Sequence, residues 1–86
     1  MRLWGKIWKE NHLLRDIVIE DTTNDTRTHK IFHALGEICL QMDLPEPIWL
    51  EANVKEFQRL SRTRFRQESF IEEVPFDYLE IQIIEE

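Results

Sequence analysis

An α+β domain in two layers is the fold this sequence predicts: a mainly antiparallel sheet, built from an N-terminal hairpin and a C-terminal strand, covered by one long and one short helix. Three observations lead there. Residues 2–21 hold two strand-like stretches separated by the polar break Glu10-Asn11-His12, residues 25–42 repeat apolar side chains at helical spacing, and Leu79-Glu-Ile-Gln-Ile83 alternates between apolar and polar.

In the first stretch, 2–9, Leu3 and Ile7 alternate with Trp4, Lys6 and Trp8. The second, 13–20, contains the β-branched run Ile17-Val-Ile19. Their register stays open, because a two-residue and a three-residue turn place Leu13 and Leu14 on opposite faces. Thr22-Thr23-Asn24-Asp25 supplies capping side chains for a helix over 25–42, whose buried stripe would be Ile31, Ala34, Leu35, Ile38 and Met42. Pro45 and Pro47 are expected to end it and to leave Ile48-Trp49-Leu50 as a short buried segment. Asn53, with Glu56 three residues on, resembles a capping box opening a second, brief helix through Val54, Phe57 and Leu60. Arg62, Arg64 and Arg66 then alternate with Thr63 and Phe65, the two-residue repeat of an extended segment. The final strand, 78–84, turns Leu79, Ile81 and Ile83 one way and Tyr78, Glu80 and Gln82 the other.

The 86 residues suffice for one domain, 1–86, and not for a second independent core. With 42% hydrophobic and 33% charged residues, two glycines and three prolines, the composition is globular rather than disordered. A lone cysteine, Cys39, builds no disulfide framework, and the N-terminal MRLWGKIWKEN breaks its apolar residues with charges, so a cytoplasmic protein is expected. No apolar run approaches the roughly 20 residues of a membrane span.

The phrases RLWGKI, DTRTHKIFHAL, PIWLEANVKEF, RTRF and FDYLEIQIIEE together resemble a family of short, functionally uncharacterised bacterial proteins. The resemblance implies a free-standing bacterial cytoplasmic protein. It carries no activity, and so assigns no functional residue.

Chemistry-bearing motifs are sparse. His29 and His33 lie one turn apart, with Asp25 before them and Glu37 after, a stripe that suggests a metal site. A straight stripe spreads its ends too far to converge on one ion, so the expected reading is solvated acid–histidine pairs, with His29, His33 and Glu37 as the metal alternative. Cys39 flanks the apolar stripe and is expected to be a small buried thiol. No phosphate-binding loop, paired-cysteine motif or nucleophile–base set is present, so neither a cofactor nor catalysis is expected.

Two clusters are candidates for binding. Trp4, Lys6 and Trp8 share one side of the first strand, and Leu3 and Ile7 share the other. One of those sides faces outward unless something covers it, and an outward Trp-Lys-Trp side would be an interaction patch. The second cluster is Arg59–Arg66, RLSRTRFR. Residues 55–66 carry five basic side chains and one acidic, residues 67–86 carry seven acidic and none basic, and the whole chain has a formal charge of −6. Nucleic-acid affinity rests on displaced counterions and needs an uncontested basic surface. Here Glu68, Glu72, Glu73, Asp77 and Glu80 follow closely and are expected to pair with Arg62, Arg64 and Arg66. The sequence therefore points first to a small non-enzymatic protein that binds another protein or itself, second to a nucleic-acid-associated protein using Arg59–Arg66, and third to a metal-dependent activity at His29 and His33.

Overall fold

The computed structural model describes all 86 residues. In chain order these form β1 (Arg2–Lys9), β2 (His12–Glu20), α1 (Arg27–Met42), α2 (Glu51–Leu60), β3 (Arg62–Phe65), one turn of 3-10 helix at Gln67–Ser69, and β4 (Tyr78–Glu85). The strands make one antiparallel sheet in the order β2-β1-β4-β3. Both helices lie on one side of it, which gives the two-layer α+β architecture. No helix is long and apolar enough to cross a membrane.

The hairpin turns on two residues, Glu10 and Asn11, both with positive φ (51° and 64°). This is the handedness a two-residue turn needs to match strand twist. Lys9 thus faces His12 and Trp8 faces Leu13, but Ile7 faces Arg15, so Leu14 is an extra residue at a bulge. The bulge settles the register: beyond it Ile17 and Ile19 join Gly5 and Leu3 on the helix-covered side, while Asp16 and Val18 stand beside Lys6 and Trp4.

α1 begins slightly later than expected. Its N-cap is Thr26, whose hydroxyl accepts from the His29 N–H at 3.2 Å, while Asp25 stays outside the helix and accepts from the Thr26 N–H. The helix is stopped by Asp43 in a left-handed conformation (φ 56°), two residues before Pro45, with the Leu44 N–H returning to the Cys39 carbonyl at 2.8 Å. Ile31, Ala34, Leu35, Ile38, Cys39 and Met42 pack onto Leu3, Ile7, Phe65, Leu79 and Ile81 of the sheet. Gly5 allows the close approach: a Cβ there would lie 2.8 Å from Ile38 Cγ2.

Two expectations need correction. Ile48-Trp49-Leu50 is not a buried segment, since Ile48 is 48% exposed and Trp49 half-buried. Trp49 is held edge-on against Phe57 and Phe65, with ring centroids 5.5 and 5.0 Å away. α2 opens at Glu51, not Asn53. Asn53 is the third helical residue, and its Oδ1 accepts from the Leu50 N–H at 3.1 Å, the reach-back that Glu or Gln makes in a capping box. Asn replaces them because this side chain is buried and also serves β3.

Candidate interaction face

The helices cover the Leu3/Ile7 side of the sheet and leave the other side open. Strand alternation puts Trp4, Lys6 and Trp8 of β1, Arg62 and Arg64 of β3, and Tyr78, Glu80 and Gln82 of β4 on this open side. The two clusters singled out in the sequence, separated by more than half the chain, therefore meet on one face.

Three rows cross it. The middle row runs Asp16, Lys6, Glu80, Arg64 from β2 to β3, alternating in sign. Glu80 is its hub: Oε1 lies 3.1 Å from Lys6 Nζ and accepts from Trp8 Nε1 at 3.2 Å, while Oε2 accepts from Arg64 Nε at 3.1 Å. Lys6 also donates to Gln82 Oε1 at 3.1 Å. Burial alone would raise the Glu80 pKa, but the hydrogen bonds from Arg64 and Lys6 outweigh it and hold the carboxyl below its ordinary value. The hydrogen bond to Glu80 raises the Arg64 pKa in turn. One flanking row places Trp4 between Val18 and Gln82, and its Nε1 donates to Asp16 Oδ2 at 2.9 Å. In the other, Trp8 stands between Leu13 and Tyr78, with the Trp8 and Tyr78 rings tilted at 6.5 Å.

Cations cover two of these rings. Lys6 Nζ lies 3.9 Å from the Trp4 ring centroid, and the Arg64 and Arg66 guanidinium carbons lie 4.7 and 5.0 Å from that of Tyr78. Beside this face, a groove of about 380 Å³ runs between α2 and β3, with Arg62, Arg64, Arg66, Glu56, Glu68 and Asn53 among its lining residues.

The expected neutralisation of the arginines is only partly present. Arg64 pairs with Glu80, whereas Arg62 and Arg66 make no ion pair. Glu68 lines the same groove as the three arginines without pairing with them, and Glu72, Glu73 and Asp77 form no ion pair with them either. The intervening loop is held elsewhere, by the Gln67 side chain donating to the Glu72 carbonyl and accepting from the Val74 N–H, and by Phe70 stacked edge-on against Phe76. Asp77 instead accepts from the Glu10 N–H at the hairpin turn.

The histidine stripe is not brought to a common point. His29 Nδ1 is 3.0 Å from Asp25 Oδ1, His33 Nδ1 is 3.6 Å from Asp21 Oδ2, and Glu37 accepts from Gln41 one turn on. No group of three or more His, Cys, Asp or Glu side chains is placed to hold a metal ion. Cys39 is 1% exposed, and burial, with the nearby Glu46 charge, pushes its thiol up to about 12.

Sequence reasoning missed a second surface. Between α1 and α2, Phe32 (52% exposed) and Val54 (40% exposed) join Ile31, Trp49 and Phe57 around an apolar groove of about 250 Å³. Phe32 falls outside the α1 stripe, and only its edge-on contact with Trp49, centroids 6.0 Å apart, brings it into this wall. Comparison with protein-family models, with curated proteins and with solved structures returns no match for this chain.

Proposed function

We propose that this chain is a binding module that performs no chemistry of its own, and that its open sheet face, through Trp4, Lys6, Trp8, Arg62, Arg64 and Arg66, receives an acidic surface of a partner protein. The observation that carries this reading is the contrast among the three arginines: Arg64 is committed to Glu80, while Arg62 and Arg66 are exposed at the rim without a carboxylate. The Lys6–Glu80–Arg64 row holds the centre in one geometry, and the free guanidiniums offer charge to a partner. The buried thiol of high pKa and the histidines engaged with aspartates support this reading. The proposal includes a bacterial cytoplasmic setting, which rests on the family resemblance in the sequence.

A second reading, binding of single-stranded nucleic acid, draws on the presence of aromatic rings and arginines on one sheet face. It is the weaker one, because Lys6 and the two arginines already lie over the Trp4 and Tyr78 rings where bases would stack, and the chain as a whole is acidic. A nuclease-treated pull-down from native lysate, run with wild type and with Arg62→Glu/Arg66→Glu, tests the first reading. Salt-eluted protein retained by wild type and lost by the variant is expected. Equal retention by both removes the face from the account. Tight, steeply salt-dependent nucleic-acid binding, abolished by Arg62→Ala, Arg64→Ala and Arg66→Ala together, would put the second reading first.

A further inference from the structure

We propose that the outer edge of β2 pairs two copies of this chain, their β2 strands running antiparallel about a two-fold axis perpendicular to the sheet and centred on Ile17. This goes beyond the use of the open face and does not depend on it.

The sheet order leaves β2 and β3 as edges, and the two are treated differently. β3 is four residues long, and α2 closes its edge: Asn53 Nδ2 donates to the Arg64 carbonyl at 3.0 Å. β2 is nine residues long, and outside its ladder with β1 no backbone hydrogen bond reaches it. About half the N–H and C=O groups of such a strand point away from the sheet, ready to pair with another strand. Proteins that keep an edge solitary blunt it with charged side chains, above all lysine, with proline or with bulges. HLLRDIVIE has neither lysine nor proline, its bulge is confined to the turn end, and its two mid-strand charges are engaged within the chain, Arg15 donating to the Met42 carbonyl and Asp16 accepting from Trp4 Nε1. Apolar side chains flank the edge on both faces: Leu13, Leu14 and Val18 are 44%, 51% and 37% exposed, and Ile17 and Ile19 are half-buried.

Among axes centred from Arg15 to Val18, which lie beyond the Leu14 bulge and keep more than half of β2 paired, the charges favour one register for a second copy. Centring the axis on Arg15 sets that arginine against itself, and centring on Asp16 sets two aspartates together. Centring on Val18 places Asp16 against Glu20. Centring on Ile17 brings no like charges opposite one another: Ile17 faces Ile17, Asp16 faces Val18 and Arg15 faces Ile19 of the second copy. Two isoleucines then join the edges of the two cores, and the open faces of both copies lie on the same side of one continuous sheet.

Sedimentation velocity across a concentration series tests this, with circular dichroism confirming that each variant is folded. Wild type is expected to dimerise. Val18→Glu, which sets a carboxylate against Asp16 of the second copy, should raise the dimer dissociation constant roughly tenfold or more, while Val18→Lys, which sets an ammonium there, should hold or lower it. Ile17→Cys should form a disulfide-linked dimer on mild oxidation, since directly opposite Cα atoms lie roughly 4.5–5.5 Å apart, and Val18→Cys should not. A chain monomeric at every concentration overturns the proposal, whether the edge stays bare or takes a strand of another protein. Equal weakening by Val18→Glu and Val18→Lys overturns it as well.

Discussion

Lys6 and Glu80 face each other across the central strands with Nζ and Oε1 3.1 Å apart, and they are only 7% and 6% exposed on a sheet face that no helix covers. The shielding comes from the side chains beside them. Lys6 lies against the Trp4 ring, and Trp8 and Arg64 both donate to Glu80. The open face is thus a closed hydrogen-bonded network in its middle and carries unpaired charge only at its rim.

Removing the hub should cost more than removing a spoke. Glu80→Ala leaves a shielded ammonium and a guanidinium without their carboxylate and is expected to destabilise the fold by about 2–4 kcal/mol. Lys6→Met keeps the stem against Trp4 and leaves Glu80 bonded to Arg64 and Trp8, so about 1 kcal/mol is expected. The double variant Lys6→Met/Glu80→Ala should be less unstable than the two single changes together. Urea unfolding of the set measures this, and strict additivity would show that the pair is not coupled.

Acid should reveal the same network. The folded Glu80 pKa lies below its ordinary 4.5, so the carboxylate contributes stability that is complete above that value and is lost as pH falls through the folded pKa. Asp21, lowered chiefly by the hydrogen bonds from the Thr23 hydroxyl and N–H, and Asp25, lowered chiefly by His29, act in the same direction. Urea midpoints are expected to be level above about pH 5 and to fall below it. Glu80→Gln should show a shallower fall, with the remainder due to the two aspartates. A slope unchanged by Glu80→Gln would mean that this carboxylate is not ion-paired in solution.

The strands and the long helix were legible because their alternation depends on side chains a few residues apart: Leu3 with Ile7, Leu79 with Ile81, Ile31 with Leu35. The meeting of Trp4, Lys6 and Trp8 with Arg62 and Arg64 was not, because it depends on β4 inserting between β1 and β3, a long-range choice that leaves no local trace. The pairing of Arg64 with Glu80 was half legible. Adjacent blocks of opposite charge forecast it, but which carboxylate reaches the arginines is fixed by strand register, and the loop that carries Glu68, Glu72 and Glu73 is pinned by Gln67 instead. Asn53 was read as a helix start because its second role, holding β3, is tertiary.

Gly5 should resist even a methyl group. A Cβ there would sit 2.8 and 3.0 Å from Ile38 Cγ2 and Cδ1, and Ile38 is fully buried in the core. Gly5→Ala is expected to cost about 1–3 kcal/mol. In an Ile38→Ala background the same change should be nearly neutral, because the cavity accepts the methyl. Thermal unfolding of the four proteins measures the coupling, and an equal cost in both backgrounds would place the strain in the backbone rather than at Ile38.

Cys39 should be silent in the folded chain. With its thiol pushed up to about 12 and its surface almost wholly covered, very little thiolate exists near neutral pH to attack a disulfide reagent. Labelling is expected to follow unfolding, accelerating with urea in step with loss of the far-ultraviolet signal. Rapid stoichiometric labelling of native protein would show that α1 opens locally from the sheet.

Asn53 ties the start of α2 to two later segments, β3 and the 3-10 turn at Ser69. Its Oδ1 accepts from the Leu50 N–H at 3.1 Å and lies 3.4 Å from the Ser69 hydroxyl, and its Nδ2 donates to Thr63 Oγ1 and to the Arg64 carbonyl, both at 3.0 Å. The amide is 8% exposed, so water cannot replace these partners freely. Asn53→Ala is expected to destabilise the fold by about 2–4 kcal/mol, since it leaves an edge carbonyl and a helix-start N–H unsatisfied. Asn53→Asp keeps the acceptor for Leu50 but turns a carboxylate toward the Arg64 carbonyl, and it should rescue little. The loss should also be uneven. Under native conditions, amide exchange in Asn53→Ala should quicken most at residues 62–65 and at the first turn of α2, with the β1–β2 hairpin following only the global stability. A uniform acceleration across the sheet would reduce Asn53 to ordinary buried packing and leave the β3 edge without its latch.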